Sequence, residues 1–162
     1  MRISKYKTVM DLDTYRPIAV KEKAINYPFY DRLDSPEKIA DVLIDIFGIH
    51  RETEEYAYVL AFNSNFRLIG VFELSHGTVD TTVLNPREVF AKALLVGAKA
   101  IVLAHNHPSG DVTPSKEDYA ATKRMVDAGK VLGVPVVDHL IVGCDRRPAY
   151  YSFEEAGQIK KS

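Results

Sequence analysis

The apolar positions of this chain keep two different beats. Across "DSPEKIADVLIDIFGI" (34–49), Ile39, Val42, Leu43, Ile46 and Phe47 recur three and four apart, the stripe of one buried helix face. Ser35 is placed to cap that helix, Pro36 suits its first position, and Gly48 suits its end. "YAYVLAFN" (56–63) and "RLIGVFELS" (67–75) instead predict a strand pair around a turn at Asn63–Phe66. "TVDTTVL" (78–84) is β-branched and predicts a further strand. A second helix is expected in "NPREVFAKALLVGA" (85–98), capped by Asn85, with Pro86 first and Gly97 ending it. "AKAIVLAH" (98–105) is a short continuous apolar run, the pattern of a buried central strand. A third helix follows in 114–133, stopped by Gly133 and Pro135, and "PVVDHLIVG" and "AYYSFEE" supply the last strands. This order argues for an α/β (α+β) fold, a mixed central sheet flanked by helices in three layers. Residues 1–34 have weak periodicity, many tyrosines and scattered charges. They are expected to form an extended N-terminal leader to a domain over 35–162.

Composition narrows the class of protein. At 162 residues the chain suits one domain with an appendage. Its 46% hydrophobic and 27% charged residues are those of an ordinary globular protein. No apolar run approaches the ~20 residues of a membrane span. The first residues lack the apolar core of a signal peptide, so a cytoplasmic location is expected. A net charge of −1 gives no electrostatic footprint for nucleic acid; Lys116, Lys123, Arg124 and Lys130 make at most one basic helix face. The single cysteine, Cys144, excludes an internal disulfide and a cysteine-built zinc cage. It also excludes the Pro-Cys-x-x-Cys pair of zinc deaminases. Packing is the default role for this thiol.

The chemistry concentrates in "AHNHPSGDVTPSKED" (104–118). Side chains two apart on a strand point the same way, so His105 and His107, at the end of the apolar run, can converge on one ion. Carboxyl ends of strands are where α/β sheets gather ligands. Pro108–Asp111 turns the chain, Thr113 is the expected helix cap ahead of Pro114, and Asp118 lies about one turn into the helix. Two imidazoles and a carboxylate would leave a fourth position for water, the arrangement of a catalytic zinc. The bland alternative is a turn with two unrelated histidines, Ser115 and Asp118 merely opening a helix. His139, inside a strand, reads as a satisfied core histidine or one supporting a ligand. Asp138 is expected on the opposite face, and His76 and His50 are read as a turn and a surface residue.

The spacing His105-x-His107, seven residues, Ser115, two residues, Asp118 resembles the motif of the JAMM/MPN (JAB-domain) metalloprotease superfamily. "HNHPSGD…PS…D", "NPREVFAKAL", "DHLIVG" and "YYSFEEAG" are similar to its RadC-like branch, over roughly residues 50–157. That branch often carries an N-terminal helix-hairpin-helix region, which is not recognisable here. The resemblance implies a JAB/MPN-like three-layer architecture with His105, His107 and Asp118 as zinc ligands. Ser115 would stabilise charge beside the metal-bound water. An upstream glutamate would serve as general base, best matched by Glu55, with Glu54, Glu73 and Glu88 as alternatives. Glu88 also reads as a partner of the Asn85 cap. Three functions follow as expectations: a zinc-dependent peptidase or isopeptidase acting on a peptide or protein; a DNA repair or recombination protein; or a non-catalytic interaction module that keeps its metal site. The tyrosine-rich leader makes a homodimer an expectation as well.

Overall fold

The computed structural model describes residues 1–77, 84–144 and 149–160, the side chains of 75–77 excepted. The strand expected over 78–84 therefore falls, but for Leu84, outside the described residues. In chain order the elements are β1 (Arg2–Met10), β2 (Pro17–Asn26), α1 (Pro36–Phe47), β3 (Glu55–Phe62) and β4 (Leu68–Gly77). There follow α2 (Pro86–Leu95), β5 (Ala100–Asn106), α3 (Lys116–Leu132), β6 (Val136–Val142) and β7 (Tyr150–Ser152). One sheet takes the order β2-β1-β4-β3-β5-β6-β7. It is mixed: β1 pairs parallel to β4 and β5 parallel to β6, while the other neighbours run antiparallel.

The alternation of side chains along the central strands sorts the core into two layers. On β3 and β5, Tyr58, Leu60, Phe62, Ala100, Val102 and Ala104 join Ile39, Val42 and Leu43 of α1. Ala57, Val59, Ala61, Ile101 and Leu103 join Val89 and Phe90 of α2 and Ala121 and Met125 of α3. Helices thus cover both faces, which makes the three layers. β5 is buried along its whole length, as a continuous apolar run requires when both faces are covered. Each large side chain enclosed here, such as Phe62 or Leu103, contributes about 1.5–3 kcal/mol.

The caps behave as expected on α1 and α2. Ser35 accepts from the Lys38 N–H, Gly48 ends α1 at φ +65°, and Asn85 accepts from the Arg87 N–H. On α3 the cap is Ser115, two residues later than expected. Pro114 holds Thr113 extended, and the Thr113 N–H is taken by Asp111 Oδ1 at 2.9 Å. Asp118, three residues after Ser115, then completes a reciprocal capping box. Residues 1–34 contribute a hairpin, β1–β2, that extends the main sheet through β4. His76 is paired within β4, opposite Tyr56, rather than in a turn. His50 is half-buried rather than on the surface.

Candidate metal centre

β5 ends at the edge of the sheet with His105 on the face covered by α2 and α3, since Ile101 and Leu103 precede it there. His107 lies one residue beyond the strand. Its N–H donates to the Val142 carbonyl at 3.0 Å, and its own carbonyl accepts from the Gly110 N–H at 2.9 Å, closing a turn. Gly110 sits at φ +84°, and a β-carbon there would come within 2.6 Å of Cys144 Sγ. That turn therefore needs glycine both for its dihedral and for its room. Cys144 is exposed rather than packed in the core, with its sulfur over this turn.

The turn carries the chain back so that the start of α3 faces the strand tip. His105 Nε2 and His107 Nε2 lie 3.2 Å apart. Asp118 Oδ1 is 3.1 Å from the first, and Oδ2 is 3.4 Å from the second. Four ligands at about 2.0–2.1 Å around a tetrahedral ion are separated by about 3.3–3.4 Å. The nearest atoms of the three groups already have that spacing, and one donor atom from each lies within 4.8 Å of the others. They are the one such cluster among the described residues. The donor set of two imidazoles and a carboxylate fits a divalent cation with a preference for nitrogen.

Neighbouring groups hold each candidate ligand. His107 Nδ1 donates to the Asp111 carbonyl at 2.7 Å, which leaves Nε2 directed at the cluster. Ser115 donates twice to Asp118 Oδ2, from its N–H and its hydroxyl, both at 2.7 Å. The Ser115 hydroxyl, expected to stabilise charge beside a metal-bound water, has its hydrogen directed at the Asp118 carboxylate. His105 Nδ1 lies 2.9 Å from His139 Nε2, so His139 is a buried, hydrogen-bonded histidine that touches one of the candidate ligands. Burial opposes ionisation of Asp118, but His105, His107 and the Ser115 hydroxyl outweigh it and hold its carboxyl well below the ordinary range. The hydrogen bond to Asp118 raises the pKa of His107 against the opposing effect of burial. Burial above all keeps the His139 pKa well below that of a free imidazole.

The candidate bases separate by geometry. β3 and β5 are antiparallel with Ala57 opposite His105, and Glu55, two residues before Ala57, falls on the cluster face. Glu55 is half-buried, and its charge contributes to the raised pKa of His107. Glu54 is exposed. Glu73 pairs with Tyr58, which faces the α1 layer, and binds Lys5 at 2.9 Å. Glu88 binds Lys92 at 2.8 Å, one helical turn on, and Asn85 caps through the Arg87 N–H instead. Asn106, the residue between the two histidines, has a role that sequence reasoning missed. Its buried side chain accepts from the Tyr56 N–H at 2.7 Å and donates to the Glu54 carbonyl at 3.0 Å. It therefore clamps the backbone on both sides of Glu55. The one signal available was an amide at the centre of His-x-His.

Fold and cluster together define an α/β domain that gathers two imidazoles and a carboxylate at the carboxyl end of its central strand. Residues 33–158 match the RadC-like JAB domain, and the chain belongs to that family. It is similar to UPF0758 proteins. That of Caldanaerobacter subterraneus subsp. tengcongensis is 40% identical over 125 residues, 74% of this chain and 53% of the relative. That of Thermotoga maritima is 39% identical over 129 residues, 80% of this chain and 55% of the relative. The UPF0758 protein of Symbiobacterium thermophilum is 45% identical over 110 residues, 68% and 45% of the two chains. The chain spans about half the length of the curated relatives it matches. Among the described residues no helix is long and apolar enough to cross a membrane.

Proposed function

We propose that this chain is a zinc-dependent hydrolase of peptide or isopeptide bonds, with His105, His107 and Asp118 holding the metal and Glu55 as general base. The observation that carries the reading is the convergence of the three donors, with Glu55 two residues before the Ala57 that pairs with His105 and its charge acting on His107. When bound, zinc supplies Lewis-acid polarisation of a carbonyl and a water acidified to a pKa of about 7. The two imidazoles and the carboxylate would hold it, and a site with three protein ligands would leave room for solvent and substrate. Glu55 lies outside the ligand cluster, as a proton carrier must. It would take a proton from the attacking water and pass it to the leaving amine. Ser115 keeps Asp118 oriented through Oδ2. Asn106 holds the Glu55 backbone at the strand start.

The test has two parts. Purified protein should contain about one zinc per chain, lost in His107→Ala. A library of peptide and isopeptide substrates should then yield turnover that Glu55→Gln lowers by roughly 10²–10⁴-fold without loss of zinc. Absence of zinc, or a Glu55→Gln protein that turns over as fast as the wild type, refutes the reading.

A further inference from the structure

We propose that His139 and Thr122 are positioning residues that decide which nitrogen of His105 is left to hold the cation. The inference rests on the metal-site part of the reading above. Both residues are buried in the layer beneath the cluster, Thr122 at 4% exposure and His139 at 0%. A core position asks only for volume, and a valine and a leucine would supply it. The structure instead shows a continuous chain of three hydrogen bonds: Asp118 carbonyl, Thr122 hydroxyl, His139 ring, His105 ring.

The direction of that chain follows from counting hydrogens. The Thr122 hydroxyl has one hydrogen, and it donates it to the Asp118 main-chain carbonyl at 2.7 Å, which can only accept. Toward His139 Nδ1, 2.6 Å away, the same oxygen must therefore accept, so Nδ1 carries the hydrogen. His139 is wholly enclosed and stacked on Phe153 at 5.0 Å and 10°. An enclosed, stacked ring of this kind stays neutral, so its Nε2 is bare. That bare nitrogen accepts from His105 Nδ1 at 2.9 Å. His105 is thereby held with a hydrogen on Nδ1, which leaves Nε2, turned toward His107 and Asp118, as the nitrogen open to a cation. The chain starts at the backbone of one ligand and ends by setting the tautomer and ring angle of another. Reversing it would require the Thr122 hydroxyl to abandon the carbonyl.

Two measurements on the full chain test this. The first is nitrogen-15 NMR of the histidine rings in metal-free protein at pH 8. The wild type should show His105 with its hydrogen on Nδ1, and His139→Phe should show a mixture or the other tautomer. The second is zinc affinity by competition with a chromophoric chelator. His139→Phe should lose about 10–100-fold, the usual effect of removing a partner of a ligating histidine. Thr122→Val, nearly isosteric, should lose affinity in the same direction by a smaller factor. His139→Gln, whose amide offers an acceptor and a donor, should recover part of the loss. His105 with its hydrogen on Nε2 in the wild type overturns the proposal, as does affinity within twofold of wild type in both His139→Phe and Thr122→Val. Where circular dichroism shows that His139→Phe has not folded, Thr122→Val decides. A wild-type protein that takes up no zinc sinks the metal centre itself, while the NMR tautomer still decides the relay.

Discussion

Replacing Asp138 by asparagine should stabilise this protein at neutral pH and lose that gain in acid. Asp138 is 5% exposed, yet it is a carboxylate on a central strand. Its Oδ1 accepts from the His139 N–H at 2.7 Å and the Glu154 N–H at 3.0 Å, and Oδ2 accepts from the Ser152 hydroxyl at 2.7 Å. Burial outweighs those three bonds and pushes its pKa from 3.8 up to about 6. The folded state therefore binds a proton more tightly than the unfolded chain between pH 3.8 and about 6, and stability falls as pH rises through that window. Above it the ionised group carries a penalty of about 3 kcal/mol, at ~1.4 kcal/mol per pH unit. Asparagine keeps Oδ1 as an acceptor for both N–H groups and can donate Nδ2–H to Ser152. The Ser152 hydroxyl hydrogen then loses its acceptor, which returns about 1 kcal/mol. The expected net gain is about 1–2 kcal/mol at pH 8, a urea midpoint shift of roughly 0.5–1 M for a slope near 2 kcal/mol/M. Urea unfolding of both proteins from pH 4 to pH 8 measures it, since all other titrations cancel in the difference. An asparagine variant that is less stable at pH 8, or a difference that stays constant from pH 4 to pH 7, refutes the reasoning.

Asn106→Ala should cost about 2–6 kcal/mol, because it removes the partner of the Tyr56 N–H and of the Glu54 carbonyl at ~1–3 kcal/mol each. A loss under ~0.5 kcal/mol in thermal or urea unfolding would contradict the clamp. Gly110→Ala should destabilise more than Gly133→Ala, since both have positive φ, worth about 1 kcal/mol or more, but only the first meets a sulfur at 2.6 Å. Equal midpoints for the two variants would remove the steric part of the argument. Zinc affinity should fall by up to about tenfold per pH unit as His107 takes up its proton, because the Asp118 bond that raises its pKa makes proton and metal rivals. In metal-free protein the same pair should stabilise below the ordinary imidazole pKa of 6.5, and that contribution should fade as pH rises through the raised one. Chelator competition from pH 8 to pH 5.5 checks the first, and a flat profile counts against it.

The central elements were legible because their cues are local. The stripe of α1, the unbroken apolar run of β5 and the two-residue spacing of His105 and His107 each lie in one short window. The cap of α3 is less legible: Pro114 suits a first helical position and so points to Thr113, whereas the reciprocal reach of Asp118 selects Ser115. The hairpin β1–β2 was hidden for another reason. Its outer strand is exposed or half-exposed throughout, so no buried face imposes alternation on it. The links from His139 to His105 and from Asn106 to the start of β3 join residues 34 and about 50 positions apart. Such links follow from strand order, which periodicity does not encode.

The double duty of Asp118 governs how loss-of-function variants should be interpreted. One carboxylate both braces the first turn of α3 and stands among the cation donors. Deleting it removes a ligand and frays a helix in the same stroke, so neither effect can be isolated at that position. His107, whose ring hangs from a loop outside any helix, is the cleaner place to empty the site while leaving the scaffold intact.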